Sequence, residues 1–168
     1  MPVNTNQPTI TCFEPIVDGN TKILILGTLP GPESIATSQY YASPKNGFWK
    51  IIFALYGQRP PVDYGEKCAF LLQHNIGIWD VLGSADREGF EDANIENAVP
   101  NNFIFFIKRH PKIQGLIFNG KGAENEFLKA FPVLYNEIRH ELVLSSSGSL
   151  ARTFFDKADS WKATICNP

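Results

Sequence analysis

The chain has 168 residues, 43% hydrophobic and 19% charged, which suffices for one domain with a substantial core. A formal net charge of −2 excludes a molecule that is basic all over. Three scattered cysteines, Cys12, Cys68 and Cys166, with no C-x-x-C spacing, exclude a disulfide framework, a zinc knuckle and an iron–sulfur cluster, and are read as reduced thiols.

In chain order, Met1–Ile10 is polar and lacks the basic start and apolar stretch of a signal peptide, and no run of eighteen apolar residues follows. The expectation is a soluble cytoplasmic protein with one domain over 1–168, of which 1–11 is a loosely ordered segment. Ile23–Leu26 is a continuous apolar run and reads as a strand covered on both faces. Gly27-Thr28-Leu29-Pro30-Gly31 is the turn leaving it, and ligands of open α/β sheets sit beyond such strand ends. Asn46 stands at or near the N-cap of a helix over 48–56. Further helices are expected over 64–74, 102–110, 123–131 and 153–162, and further strands over 76–82, 115–118 and 141–144. Residues 83–100 read as a long loop. This βαβ rhythm predicts a three-layer α/β/α sandwich around a short, mostly parallel four-stranded sheet.

The turn Gly27–Gly31, followed by Tyr40-Tyr41-Ala42-Ser43-Pro44-Lys45-Asn46-Gly47-Phe48-Trp49-Lys50, resembles the first motif of the uracil-DNA glycosylase superfamily. The likeness is nearer to the hypoxanthine-DNA (deoxyinosine) glycosylase branch, and mismatch-specific uracil glycosylases share the Pro-x-Asn-x-Phe-Trp-Lys portion. It continues through Gly77–Leu82, Arg87-Glu88-Gly89, Val99-Pro100-Asn101, Ile117–Lys121 and Ser145-Ser146-Ser147, covering roughly Cys12 to Trp161. The resemblance implies a monofunctional DNA glycosylase of base excision repair. Such an enzyme releases a deaminated base, hypoxanthine first, leaves an intact abasic site, and needs no cofactor and no metal. The implied partner is damaged DNA, bound by a monomer that hands its product to downstream repair enzymes. A uracil- or mismatch-specific glycosylase, a noncatalytic damaged-DNA-binding module and a small-molecule nucleoside hydrolase remain as alternatives.

A base-excising enzyme must extrude a nucleotide, stack its base, read its edge and aim water at C1′. Tyr41 matches the aromatic that stacks on the flipped base in relatives. Leu29 occupies the turn position where many relatives hold water with Asp or Asn, so the resemblance assigns water positioning to Asn46, beside its capping role. Asp80, at a strand end, is the reader of the base edge or a cap for the next turn. Phe48 is a helix-core residue or a pocket wall, and Asn119 contacts the base or a phosphate or serves its turn. Gly31, Lys45, Ser145, Ser146, Ser147, Gly148, Leu150 and Arg152 are the expected DNA contacts, with Leu150 as a wedge into the stack. Gly148 and Leu150 depart from the Pro and Asn usual in the hypoxanthine branch. Lys50, Lys108, Arg109, Lys112 and Lys121 can add to a basic stripe or be scattered solubilising charge. His74, His110 and His140 have no metal-ligand spacing. Neither a G-x-S-x-G elbow, a P-loop nor a dinucleotide fingerprint is present.

Overall fold

The computed structural model describes residues 7–148 and 154–166. Four parallel strands, β2 (Ile23–Gly27), β3 (Ile76–Asp80), β6 (Gly115–Asn119) and β7 (Arg139–Val143), form a sheet in the order β3-β2-β6-β7. The central β2 is buried along nearly its whole length, as its unbroken apolar run requires. Side chains alternate between two cores. Ile25, Ile78, Ile117 and Val143 face one with α2 (Phe48–Ala54), α3 (Tyr64–Gln73) and α7 (Phe154–Ile165). Leu24, Leu26, Leu116 and Phe118 face the other with α4 (Phe103–Arg109), α5 (Lys121–Ala130) and α6 (Pro132–Glu137). The outcome is the expected three-layer sandwich. Asp63 caps α3 by accepting from Glu66 N, and Asn102 caps α4 by accepting from Phe105 N.

Several elements depart from the expectation. Thr9–Thr11, placed in a loosely ordered segment, is the strand β1, paired antiparallel with β4 (Leu82–Asp86). The stretch 83–100 is not a loop throughout: β4 and β5 (Glu96–Pro100) flank a single 3-10 turn at Asp92–Asn94 and complete a second, antiparallel sheet in the order β1-β4-β5. All five residues of β5 are exposed, so no alternation of apolar and polar residues marks it. The apolar run 76–82 divides at Val81, where the chain leaves the parallel sheet; Val81 N donates to Gly27 O and Leu82 N to Thr28 O. That crossing sets β4 and the following turn directly beneath Gly27–Gly31. The short α1 (Pro32–Thr37) begins at Gly31, with Pro32 at its first position.

Candidate active site

Beyond the carboxyl ends of β2 and β3 lies a cavity of about 100 Å³, lined by Leu29–Gly31, Glu33, Ser34, Tyr40, Tyr41, Ser43, Asn46 and Asp80. Its floor is polar. Asp80 Oδ2 and Tyr41 Oη are buried and have no hydrogen-bond partner among the described residues. Both groups crowd Gly27: a β-carbon there would stand 2.8 Å from Asp80 Oδ1 and 3.0 Å from Tyr41 Oη. Glycine at this strand end is what lets the two polar groups converge.

Tyr41 has a φ of 54°, a left-handed conformation that costs an aromatic residue about 1–2 kcal/mol. The surroundings hold it there. Its ring stacks on Phe48 with centroids 4.0 Å apart and planes 19° from parallel. Tyr40 beside it is structural: its hydroxyl donates to Glu14 O, its N–H to Tyr64 Oη, and its carbonyl accepts from Trp49 Nε1. Asn46 precedes the N-cap residue Gly47, yet its Oδ1 accepts from Phe48 N at 3.0 Å, so it serves the helix start from one residue further out.

Burial pushes the Asp80 carboxyl up to about 7, with Asp92 adding to the rise and Arg87 opposing it. The Tyr41 phenol is pushed well above the ordinary range, by burial first and by Asp80 second, while the Asn119 amide pulls the other way. The Tyr41 hydroxyl has no hydrogen-bond partner among the described residues, Asn119 included. Asn119 Nδ2 donates to Ser146 Oγ, and Asn119 Oδ1 accepts from Ser146 N.

Of the residues singled out from sequence, Asn46, Tyr41, Asp80 and Gly31 meet at the cavity. Phe48 is fully buried behind Tyr41 and Asn119 pins the late serine loop, so neither lines it. Ser145–Gly148 lies against Lys45–Gly47: Gly47 N donates to Ser146 O, and Gly148 packs on the backbone of Lys45. Ser146 is buried and Lys45 exposed. Ser147 N donates to Ser145 Oγ, and Lys157 Nζ donates to Ser147 O. Leu150 and Arg152 lie outside the described residues. Glu33, Ser34 and Ser43 line the cavity without having been singled out. Arg87 and Asp92, which sequence reasoning placed in a loop, both hold the turn: Arg87 is buried and its guanidinium donates to Pro30 O, while Asp92, exposed as a residue, accepts from Thr28 Oγ1. The signal in the sequence was the motif Arg87-Glu88-Gly89, to which no role was assigned.

The model of the uracil DNA glycosylase superfamily matches residues 14–166. A protein from Methanosarcina barkeri named hypoxanthine DNA glycosylase is 35% identical over 152 residues, covering 89% of this chain and 93% of its own. A protein of the same name from Methanosarcina acetivorans is 36% identical over 156 residues, covering 91% and 96%. The fold is similar to the solution NMR structure of a candidate uracil DNA glycosylase from Methanosarcina acetivorans, with a TM-score of 0.82 and 32% identity over 95% of this chain and 98% of that one. With the parallel sheet, the strand-end cavity and a match across nearly the whole sequence, the chain belongs to the uracil DNA glycosylase superfamily.

Proposed function

We propose that the chain is a monofunctional DNA glycosylase of base excision repair that hydrolyses the N-glycosidic bond of hypoxanthine in DNA. The observation that carries this reading is the convergence of Asn46, Tyr41 and the unpartnered Asp80 carboxyl on one small cavity at the sheet's carboxyl edge. Tyr41, backed by Phe48, offers a stacking surface, and a base–aromatic stack contributes ~1–3 kcal/mol. Hypoxanthine carries an N1–H next to a carbonyl, where adenine carries a bare N1 next to an amino group. An ionised Asp80 accepts that N1–H and repels the bare nitrogen of adenine.

The reaction requires a water but no strong base. Asn46 Oδ1, fixed by the Phe48 N–H, retains a second acceptor position for a water hydrogen. An amide does not deprotonate water. The C1′–N9 bond therefore breaks ahead of attack, its electron pair leaving with the purine as the sugar becomes oxocarbenium-like. The water oxygen then bonds to C1′ and its proton passes to solvent, leaving an intact abasic site. Gly31, Lys45, Ser145, Ser147 and Gly148 form the DNA-facing rim in this reading, and Leu150 and Arg152 are assigned to DNA contact from the sequence alone. The protein acts on damaged DNA as a monomer and yields its product to downstream repair enzymes. Uracil is the second substrate in this reading, since its N3–H also sits next to carbonyls and meets the same Asp80 carboxyl.

The test is excision from duplexes carrying one hypoxanthine, one uracil or only normal bases, scored after alkaline cleavage of abasic sites, with a parallel salt titration. The expected result is hypoxanthine release, no strand cleavage before alkali, and binding that weakens steeply with salt. Tight binding without release would make the chain a damage-binding module. Turnover of free deoxyinosine without DNA would make it a nucleoside hydrolase.

A further inference from the structure

Strand β3 is an edge of the parallel sheet, and its outer side is covered by other parts of the chain. Ile16 pairs there with Ile78, the two exchanging backbone hydrogen bonds at 2.9 and 3.0 Å. Peptide groups two residues apart in a strand face the same way, so the next outward carbonyl is that of Asp80. A side chain takes the place of a strand at that point: Asn101 Nδ2 donates to Asp80 O at 2.8 Å, while Asn101 N donates to Val81 O at 2.9 Å. The amide is itself confined. Its Oδ1 lies against Gly83, where a β-carbon would stand 2.8 Å from it, and Cys12 Sγ is 3.5 Å from its Nδ2. Asn101 thus holds two consecutive carbonyls where the chain leaves the parallel sheet. The carboxyl of Asp80 is held differently, since its Oδ2 is buried with no hydrogen-bond partner among the described residues. Its aim into the cavity therefore depends on how firmly the backbone beneath it is fixed.

We infer that Asn101 is a positioning residue for base recognition, which fixes the backbone of Asp80 so that the unpartnered carboxyl meets the base edge in one orientation. Asn101 does not line the cavity and acts only through Asp80. The inference rests on the proposed function for what Asp80 reads, but the positioning itself is a property of the protein without DNA. It gives the second sheet a part in the site: β5 ends at Pro100 and delivers Asn101 beside the end of β3. It also gives a role to the motif Val99-Pro100-Asn101. Without the amide, Asp80 O loses its donor, and the strand end that carries the carboxyl loses its outer support. A displacement of about 1 Å at such a group is enough to weaken its action on a substrate.

The experiment reads the Asp80 χ1 angle by NMR, from scalar couplings to its carboxyl carbon, in the protein without DNA, for wild type, Asn101→Ala and Asn101→Ser. Wild type is expected to show one rotamer, and both variants an average over several, because the serine hydroxyl is too short to reach Asp80 O. Single-turnover hypoxanthine release from duplex DNA is expected to fall about tenfold in Asn101→Ala, the size of one hydrogen bond to a charged group. Adding Asn101→Ala to Asp80→Asn is expected to cause no further fall, since the two residues act as one. A single Asp80 rotamer in both variants, or averaging already in wild type, overturns the inference. So does a merely structural role, which would slow release by the same factor with and without the Asp80 carboxylate. Should Asn101→Ala melt below the working temperature, Asn101→Ser decides by the same readings. Averaged rotamers in the variants with no excision by any form, wild type included, uphold the positioning and overturn the glycosylase reading instead.

Discussion

Replacing Asn46 separates its observed bond at the helix start from the water-positioning role proposed for it, because the two differ in size. Its Oδ1 accepts one hydrogen bond at the start of α2, from Phe48 N at 3.0 Å. Loss of such a bond costs about 1 kcal/mol. The helix survives it, since Phe48, Trp49, Ile51, Ile52 and Phe53 are all buried and anchor α2 in the core. A domain stable by roughly 5–15 kcal/mol stays folded after that loss. Loss of a positioned water is larger: misplacing a reacting group by about 1 Å costs about 10² in rate. Asn46→Ala is therefore expected to shift melting by a few degrees and to slow single-turnover hypoxanthine release at least about 100-fold, an activation difference of about 2.7 kcal/mol. DNA binding, read by fluorescence anisotropy at fixed salt, is expected to stay within a few-fold of wild type.

Asn46→Ser is the control. Serine is a good acceptor for helix-start N–H groups, so it restores the stability. Its hydroxyl stops short of the place the amide oxygen reaches, so it leaves excision impaired. Recovery of both stability and excision in Asn46→Ser would refute the water-positioning role and leave Asn46 as a cap alone.

Three further perturbations follow from the same site. Tyr41→Phe removes a buried hydroxyl with no hydrogen-bond partner among the described residues, so thermal denaturation is expected to show a gain of up to about 1 kcal/mol, while hypoxanthine excision falls; a loss of stability would mean that the hydroxyl has a partner in solution. Asp80 binds its proton more tightly in the folded protein, at about 7 against 3.8 for the free carboxyl, so its stabilising contribution is full below pH 4 and lost as pH rises through 7. Asp80→Asn is accordingly expected to stabilise the protein at pH 8, by a few kcal/mol at most, and to change little at pH 4, which chemical denaturation at the two pH values checks. Gly148→Ala would set a β-carbon 2.3 Å from Lys45 O, a backbone atom that cannot step aside, so a cost of about 1–3 kcal/mol and weaker DNA binding are expected from denaturation and anisotropy.

The parallel sheet was legible because its strands are apolar runs of the length a covered strand needs, and β2 is the plainest case. Asn46, Tyr41 and Asp80 were legible as well, since a motif with fixed spacing carried them to one cavity. The second sheet was not. β1 has one buried residue and β5 none, so neither leaves a hydrophobic signature, and both are held by backbone hydrogen bonds to β4. Asn119 and Phe48 illustrate another limit: residue type does not report that Ser146 bonds both ends of the Asn119 amide or that Tyr41 stacks on the Phe48 ring. The grip of Arg87 on Pro30 spans 57 residues of sequence, and no local pattern reports a bond of that kind.

Asn46 and the serine loop behave as one mechanical unit, with a consequence for how DNA contact reaches the chemistry. Gly47 N, the next donor after Asn46 in the chain, is bonded to Ser146 O. Ser146 is held twice by Asn119 at the end of β6, and the loop is tied to α7 through Lys157 on Ser147 O, Ser160 on Leu144 N and Trp161 on Leu144 O. Under the proposed DNA contact, a phosphate on Ser145–Gly148 bears on the helix start that fixes Asn46, and the bonds to β6 and α7 oppose the displacement. On this arrangement, Asn119→Ala, which removes both bonds to Ser146, is expected to reduce the excision rate more than DNA affinity. An equal loss in both would show that the loop holds DNA without transmitting its position to Asn46.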